Sequence, residues 1–409
     1  MKQVFAVALG ILTAIGGFVD IGDLVTNGVV GARFGLSLAW VVVLGVVGIC
    51  VFAEMSGRVV AVSGRPTFDL VRERLGPRIG GANLLASMAV TVATFIAEIG
   101  GVALALTLAS SVNRYLWVPL AGAAVWLVLW RVRFQVMENA LGLMGLALVV
   151  FAVAVVKLGP DWGSLWSQVS QPRVPSGEGH PTYFYYAVAM FGAAMTPYEV
   201  FFFSSGGVEE KWTPRSLPVM RANVLVGFPL GGLLSLAIAA SAGLVLGPAG
   251  VQVDTLADVG LPVGVAFGRL GLAVALLGFF AATFGAACET GLSVGYSIAQ
   301  YFGWRWGKTV SPRQGTRFHV VLLVAVVVAV GVLLTTVDPI TVTEYSVVFS
   351  AIALPLTYFP ILVVANDRDY MGEHANGPLA NTLGSLFMVV VVVGAVAAIP
   401  LMIATKAGM

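Results

Sequence analysis

Two carboxylates, Asp20 and Asp23, bracket a glycine in the run Gly16-Gly17-Phe18-Val19-Asp20-Ile21-Gly22-Asp23, with apolar sequence on both sides. An ionisable side chain in hydrocarbon is expensive, so it normally faces a cavity and carries function. The spacing puts both carboxylates on one helical face. Gly22 and the upstream Gly16-Gly17 pair predict an interruption there, which adds free backbone carbonyls to the two carboxylates. Oxygen donors of this kind suit a hard cation.

A second interruption is written at Gly192-Ala193-Ala194-Met195-Thr196-Pro197-Tyr198-Glu199. Pro197 removes a donor and clashes with the preceding turn, freeing carbonyls around Ala193 and Ala194, while Thr196 adds a hydroxyl and Glu199 a carboxylate. Broken segments at corresponding places in two halves of a chain mark a transporter site near the bilayer midplane. Glu98 and Glu289 also lie deep in apolar sequence, as proton carriers, vestibule charges or structural partners. Glu54 and Glu138 sit near span ends beside Arg58 and Arg133, where ordinary ion pairs are expected.

The elements that must position these groups follow from composition. Of 409 residues, 58% are hydrophobic and 10% charged, against roughly 25% charged in a soluble chain, and mean hydropathy is +0.95. This is an all-α, polytopic membrane protein, with the lipid bilayer as its surroundings. The 49 glycines and 19 prolines suit close-packed, interrupted helices. A net charge of +2 with no long basic run gives no sign of nucleic-acid binding. No cofactor is implied, and the absence of a nucleophile–base or His/Cys constellation at depth argues against an enzyme. Cys50 and Cys288 read as small buried residues.

Eleven apolar spans are predicted, near 4–28, 35–61, 80–110, 115–131, 138–157, 182–207, 218–246, 262–302, 317–336, 342–366 and 380–404. The first reads as a retained membrane helix rather than a cleaved leader. With the N-terminus in the cytoplasm, sixteen of the 22 Lys and Arg residues fall inside and six outside, which places the C-terminus outside. The connection from Lys157 to Pro181 reads as an external cap, and Arg58–Arg78 as an orientation signal with room for a short interfacial helix. The chain is then one transport domain at the cell membrane. Repeat one covers about 4–157, repeat two about 182–366, and an extra C-terminal helix about 380–404. Oligomeric state stays open, with a monomer sufficient.

Phe18-Val19-Asp20-Ile21-Gly22-Asp23, Thr26-Asn27, Gly31-Ala32, Phe34-Gly35 and Trp40-Val41-Val42 resemble the first two helices of the natural resistance-associated macrophage protein (NRAMP) family of divalent-metal transporters. Further similarity lies at Ser63-Gly64, Arg72-Glu73-Arg74-Leu75-Gly76, Ala97-Glu98-Ile99-Gly100 and Asp367-Arg368-Asp369-Tyr370-Met371-Gly372-Glu373. The resemblance implies a leucine-transporter-type fold of two inverted five-helix repeats with helices 1 and 6 broken. The departures from the family pattern are specific. Its Asp-Pro-Gly-Asn is here Asp20-Ile21-Gly22-Asp23, and its Met-Pro-His is Thr196-Pro197-Tyr198. The soft thioether is gone and a second carboxylate has appeared, which favours Mg²⁺, Ca²⁺ or Mn²⁺ over Fe²⁺, Cd²⁺ or Zn²⁺. Acidic and histidine positions of a proton relay are occupied by Met88, Phe95, Tyr198 and Phe203. That pattern resembles the family's NRAMP-related magnesium transporters.

The expected function is import of a hard divalent cation, Mg²⁺ first and Mn²⁺ second, by alternating access without proton coupling. Asp20, Asp23, Thr196 and Glu199 are the expected ligands, together with carbonyls near Ile21 and Ala193. Glu98, Tyr198 and Glu289 are expected to line the path. A proton-coupled Mn²⁺/Fe²⁺ symporter and an organic-substrate or amino-acid carrier on the same fold are the alternatives.

Overall fold

The computed structural model describes residues 18–335 and 337–408. Helices account for all regular structure among them: α1 (Ile21–Phe34), α2 (Ala39–Ser63), α3 (Thr67–Ser110), α4 (Arg114–Arg131), α5 (Phe134–Leu158), α6 (Trp162–Ser170) and α7 (His180–Ala194). Then follow α8 (Pro197–Glu209), α9 (Pro214–Ala249), α10 (Leu256–Phe302), α11 (Thr316–Leu333), α12 (Pro339–Asn366), α13 (Arg368–Met371) and α14 (Pro378–Ala404). Nine helices among the described residues are long and apolar enough to cross a membrane, with α7 and α8 counted as one interrupted span. Most of the first expected span lies outside the described residues. The expected span 115–131 is present as α4, but an arginine at each end leaves it outside the nine.

Two helices run longer than their expected spans, and glycine explains both. α3 has 44 residues and α10 has 47, whereas about 20 cross the hydrocarbon core. Each is divided where a glycine adopts a positive φ closed to other residues, Gly76 at 80° and Gly268 at 64°. Upstream of Gly76 the segment is polar and carries Asp69, Arg72, Glu73 and Arg74. It is the short helix for which the Arg58–Arg78 stretch left room.

Apolar side chains point outward as well as inward. Leu85, Leu270, Val396 and Ile403 are each at least 70% exposed, the arrangement lipid requires and water would not. Inside, small residues let backbones touch. A Cβ on Gly31 of α1 would lie 2.1 Å from the Ala239 carbonyl oxygen of α9, and one on Gly192 of α7 would lie 2.1 Å from that of Val347 on α12. These contacts clamp the helices that flank the two interruptions.

The end of the bundle rich in arginine is laced by ion pairs. Arg65 meets Asp69 at 2.8 Å and Glu73 at 2.6 Å, and Arg74 meets Asp367 at 2.5 Å. Arg58 pairs with Glu54 at 3.1 Å, as expected. Glu138 does not pair with Arg133; no ion pair or hydrogen bond holds its carboxylate among the described residues. Arg133 caps the start of α5 from the extended side of the turn, so the two side chains do not share a helical face.

Candidate cation site

The chain is extended at Asp20 (φ −105°, ψ −174°), and α1 begins at Ile21. Asp20 is the N-cap: its Oδ1 accepts from the Asp23 N–H at 2.9 Å. A carboxylate there satisfies an otherwise orphaned donor and complements the positive end of the helix dipole. Its Oδ2 accepts from the Tyr198 hydroxyl at 3.2 Å. Asp20 therefore ties the first interruption to the second.

Asp23 is held differently. Its Oδ1 accepts from Asn27 Nδ2 at 3.1 Å and from Ser235 Oγ on α9 at 3.4 Å, while Oδ2 is buried with no partner. Asn27 also donates to the Asp23 carbonyl at 2.9 Å, and its own Oδ1 is buried and unpartnered. One oxygen of the carboxylate is thus fixed and the other left to face a ligand. Buried polar atoms without partners are costly and rare. Their gathering here is the signature of a site that receives something.

Ile21 enters through its amide, not its carbonyl. Its N–H donates to Glu98 Oε1 at 3.1 Å. As the first residue of α1 it directs its carbonyl into the helix, where the following turn uses it. The expected Ile21 carbonyl ligand is replaced by a backbone donor that latches Glu98. Glu98 itself, fully buried on α3, keeps Oε2 unpartnered beside the same gap.

The second interruption falls between α7 and α8 at Met195 and Thr196. Pro197 has no N–H to offer Ala193, so the Ala193 carbonyl loses its helical donor. Neighbouring carbonyls are already taken: Ser350 Oγ donates to Gly192 at 2.9 Å and Tyr358 Oη to Met195 at 3.1 Å. Thr196 Oγ1 and Glu199 Oε2 are buried and unpartnered. Met195 turns its sulfur away, since a Cβ on Gly48 of α2 would lie 2.6 Å from Sδ.

The expected residues thus converge in part. Asp20, Asp23, Glu98 and Tyr198 are linked directly or through one backbone group, and Thr196 and Glu199 stand at the facing break. Among the described residues no three His, Cys, Asp or Glu side chains converge as a ready metal cage. A cation here must draw on hydroxyl, amide, carbonyl and water oxygens as well. Glu289 lies on α10, 8% exposed and without a hydrogen bond to this group. Sequence reasoning missed Asn27, Ser235, Ser350 and Tyr358. Asn27 was legible as a polar residue one turn beyond Asp23; the other three sit on distant helices and carried no local signal.

A helix that starts at Asp20 and a span interrupted at Met195 and Thr196, with unpartnered buried oxygens gathered between them, define a membrane transporter rather than an enzyme. The family model described as natural resistance-associated macrophage protein-like (Nramp) matches residues 10–400, and the chain belongs to this family. Among curated relatives, the divalent metal cation transporter MntH of Aeromonas hydrophila is 26% identical over 384 residues, 92% of this chain and 91% of that protein. MntH of Deinococcus radiodurans is 27% identical, over 92% of this chain and 85% of that one. Among solved structures, a manganese transporter from Eremococcus coleocola superposes with a TM-score of 0.71 at 20% identity, covering 99% of this chain and 88% of that one. Mhp1, a nucleobase-cation-symport-1 family transporter in a closed conformation, gives 0.62 at 16% identity, over 98% and 91% of the two chains. The fold is the all-α leucine-transporter type expected from the sequence.

Proposed function

We propose that this chain moves a hard divalent cation across the membrane by alternating access around the two interruptions, with Mg²⁺ the preferred ion and Mn²⁺ a second substrate. The family and the MntH relatives support divalent-metal transport. The observation that carries the preference is the donor set. Every unpartnered group at the breaks is an oxygen: Asp23 Oδ2, Asn27 Oδ1, Glu98 Oε2, Thr196 Oγ1 and Glu199 Oε2. The nearest sulfur, on Met195, packs against Gly48. Hard oxygen ligands suit Mg²⁺ and Mn²⁺, and Mg²⁺ keeps several of its waters while binding through one or two carboxylates.

In this reading Asp23 Oδ2 and Asp20 hold the cation directly or through water, with the Thr196 hydroxyl and the Ala193 carbonyl completing the shell and Glu199 supplying further negative charge. Glu98 and Tyr198 set the position of the first break. No histidine stands at either break: His180 opens α7, His319 bonds the Val310 carbonyl, and His374 lies beside Glu373. The family's histidine relay has no counterpart, so transport proceeds without proton coupling. The two repeats, about 4–157 and 182–366, rock about the site with the arginine-rich end in the cytoplasm.

A second reading, a proton-coupled Mn²⁺/Fe²⁺ symporter, is favoured by the manganese-transporting structural relative. Uptake of Mg²⁺, Mn²⁺ and Cd²⁺ into proteoliposomes, with and without a pH gradient, separates the two. Mg²⁺ flux with no internal acidification supports the first. Mn²⁺ flux with proton movement and no Mg²⁺ flux establishes the second, and absence of any divalent flux removes both in favour of an organic-substrate carrier.

A further inference from the structure

At the arginine-rich end, the carboxylates beside most arginines are already committed. Asp69 and Glu73 pair with Arg65, Asp69 also with Arg72, Asp367 with Arg74, and Glu54 with Arg58 and Arg221. Arg78, Arg305 and Arg317 are exposed and form no ion pair among the described residues. They are not scattered, because all three stand around the last residues of α10. Tyr301 Oη donates to the Pro77 carbonyl at 3.0 Å, which sets Arg78 of α3 beside that end. The Arg317 guanidinium of α11 lies 5.3 Å from the centre of the Trp304 ring, and Trp304 stacks on Phe302 at 4.9 Å. Arg305 follows Trp304 directly.

The aromatic stack marks the mouth of a furrow between α3 and α11, with the end of α10 as its floor. A Cβ on Gly81 of α3 would lie 3.1 Å from Tyr301 Oη, and one on Gly295 of α10 would lie 2.8 Å from Phe318 and 2.7 Å from Leu322 of α11. On α3, Arg78, Ala82 and Leu85 recur at helical spacing and are all exposed. On α11, Arg317, Val324 and Val328 do the same. Each stripe begins with a guanidinium and continues into the membrane with apolar side chains. That order complements an amphiphile with an anionic head and an acyl tail. The start of α11 adds to the charge. Gly315 gives it no side-chain cap, no acid lies in its first turn and Arg317 does, so free N–H groups and guanidinium reinforce one another.

We propose that this corner binds one acidic phospholipid of the surrounding bilayer, its phosphate held by Arg78, Arg305 and Arg317 and an acyl chain laid between Leu85 and Val324. Arginine suits the role because its planar fork takes phosphate oxygens in pairs and stacks on aromatic faces. Membrane orientation requires only that positive charge lie on this side. It does not require three unpaired guanidiniums to meet at one aromatic stack. The bound lipid joins α3 to α11 across the end of α10, whichever ion is moved.

Native mass spectrometry of the full chain, titrated with phosphatidylglycerol, phosphatidylcholine or inorganic phosphate, tests this. The wild type should hold one phosphatidylglycerol about tenfold or more tightly than phosphatidylcholine, and inorganic phosphate should not displace it. The variant Arg78→Gln, Arg305→Gln, Arg317→Gln should lose that preference. Arg131→Gln, Arg133→Gln, Arg215→Gln removes equal charge from other exposed positions at this end and should keep it. Thermal melting without lipid confirms that each variant is folded. Equal weakening in both variants, no preference in the wild type, or displacement by inorganic phosphate overturns the lipid site. A second arm removes no charge. Brominated phosphatidylglycerol in nanodiscs should quench wild-type tryptophan fluorescence more than brominated phosphatidylcholine does, and Trp304→Phe should abolish the excess. No excess in the wild type, or an excess that survives Trp304→Phe, overturns the placement.

Discussion

The two interruptions are built from opposite materials. The break ahead of α1 supplies charge whose orientation is fixed: Asp20 has both oxygens engaged and Asp23 has one, held by Asn27 and Ser235. The break between α7 and α8 adds one carboxylate, Glu199, to neutral oxygens in a frame of hydroxyls, with Tyr358 and Ser350 taking the carbonyls on either side of Ala193 and Ala194. In the proposed function the first side supplies most of the charge and the second most of the neutral ligands. Their far ends differ as well. α1 ends on Arg33, whose guanidinium meets Glu178 at 2.8 and 2.9 Å, the Gly408 carbonyl at 2.7 Å and Tyr186 at 3.2 Å. α8 ends on Glu209, which accepts from the Lys308 N–H at 2.5 Å and the Tyr296 hydroxyl at 3.0 Å.

The largest effect should come from the charged side. Asp20→Ala removes a carboxylate, the cap of α1 and the partner of Tyr198 at once. Divalent uptake should fall by about 100-fold or more, since losing a buried, hydrogen-bonded charge costs about 3 kcal/mol or more. Loss of the cap alone accounts for only about 1 kcal/mol. Asp20→Asn keeps the cap and so separates the two contributions. Equal uptake in Asp20→Ala and wild type would mean that the first break does not bind the ion.

Next comes a change of hardness at the second break. Thr196→Met puts a thioether where the unpartnered hydroxyl now stands, and Cd²⁺ affinity should rise by about tenfold at the expense of Mg²⁺. Competition of Cd²⁺ against Mn²⁺ uptake reads this directly. No change would show that Thr196 does not face the ion.

How much of this was legible beforehand divides along the same line. The breaks announced themselves locally, through glycines beside Asp20 and Asp23 and through Pro197, because backbone interruption is a property of adjacent residues. The fold followed from span spacing and from the family motifs. Long-range partners did not show. Ser235, Tyr358 and Ser350 sit on helices whose sequences are otherwise apolar, and a lone serine or tyrosine in such a helix signals nothing until packing places it. The expected Glu138–Arg133 pair failed for a related reason: closeness in sequence fixed neither side chain's face.

A different effect should distinguish aiming from binding at the first break. Asn27→Ala and Ser235→Ala each remove one donor to Asp23 Oδ1 and free the carboxylate to rotate. KM for Mn²⁺ should rise by about tenfold to 100-fold, as expected for loss of a hydrogen bond to a charged group, with maximal rate little changed. Ser235→Thr, which keeps the hydroxyl, should restore wild-type KM. An unchanged KM in both alanine variants would mean that Asp23 needs no aiming, and the contrast between a fixed and an open break would fail.

The smallest effect concerns the anchors at the far ends, which differ in whether they can titrate. Burial pushes the Lys308 ammonium from 10.5 down to about 8, with the charges of Cys288 and Glu209 opposing the shift, whereas Arg33 stays charged throughout the working range. The folded chain binds the Lys308 proton more weakly than the unfolded chain does. This group therefore lowers stability below about pH 8, and that penalty disappears as pH rises from about 8 to 10.5. Melting of the wild type in detergent should gain roughly 2 °C across that window relative to Lys308→Met, while Arg33→Gln should shift melting equally at both pH values. A wild-type curve parallel to that of Lys308→Met would show that the α8 anchor is as permanent as that of α1, leaving the breaks themselves as the only difference between the two half-helices.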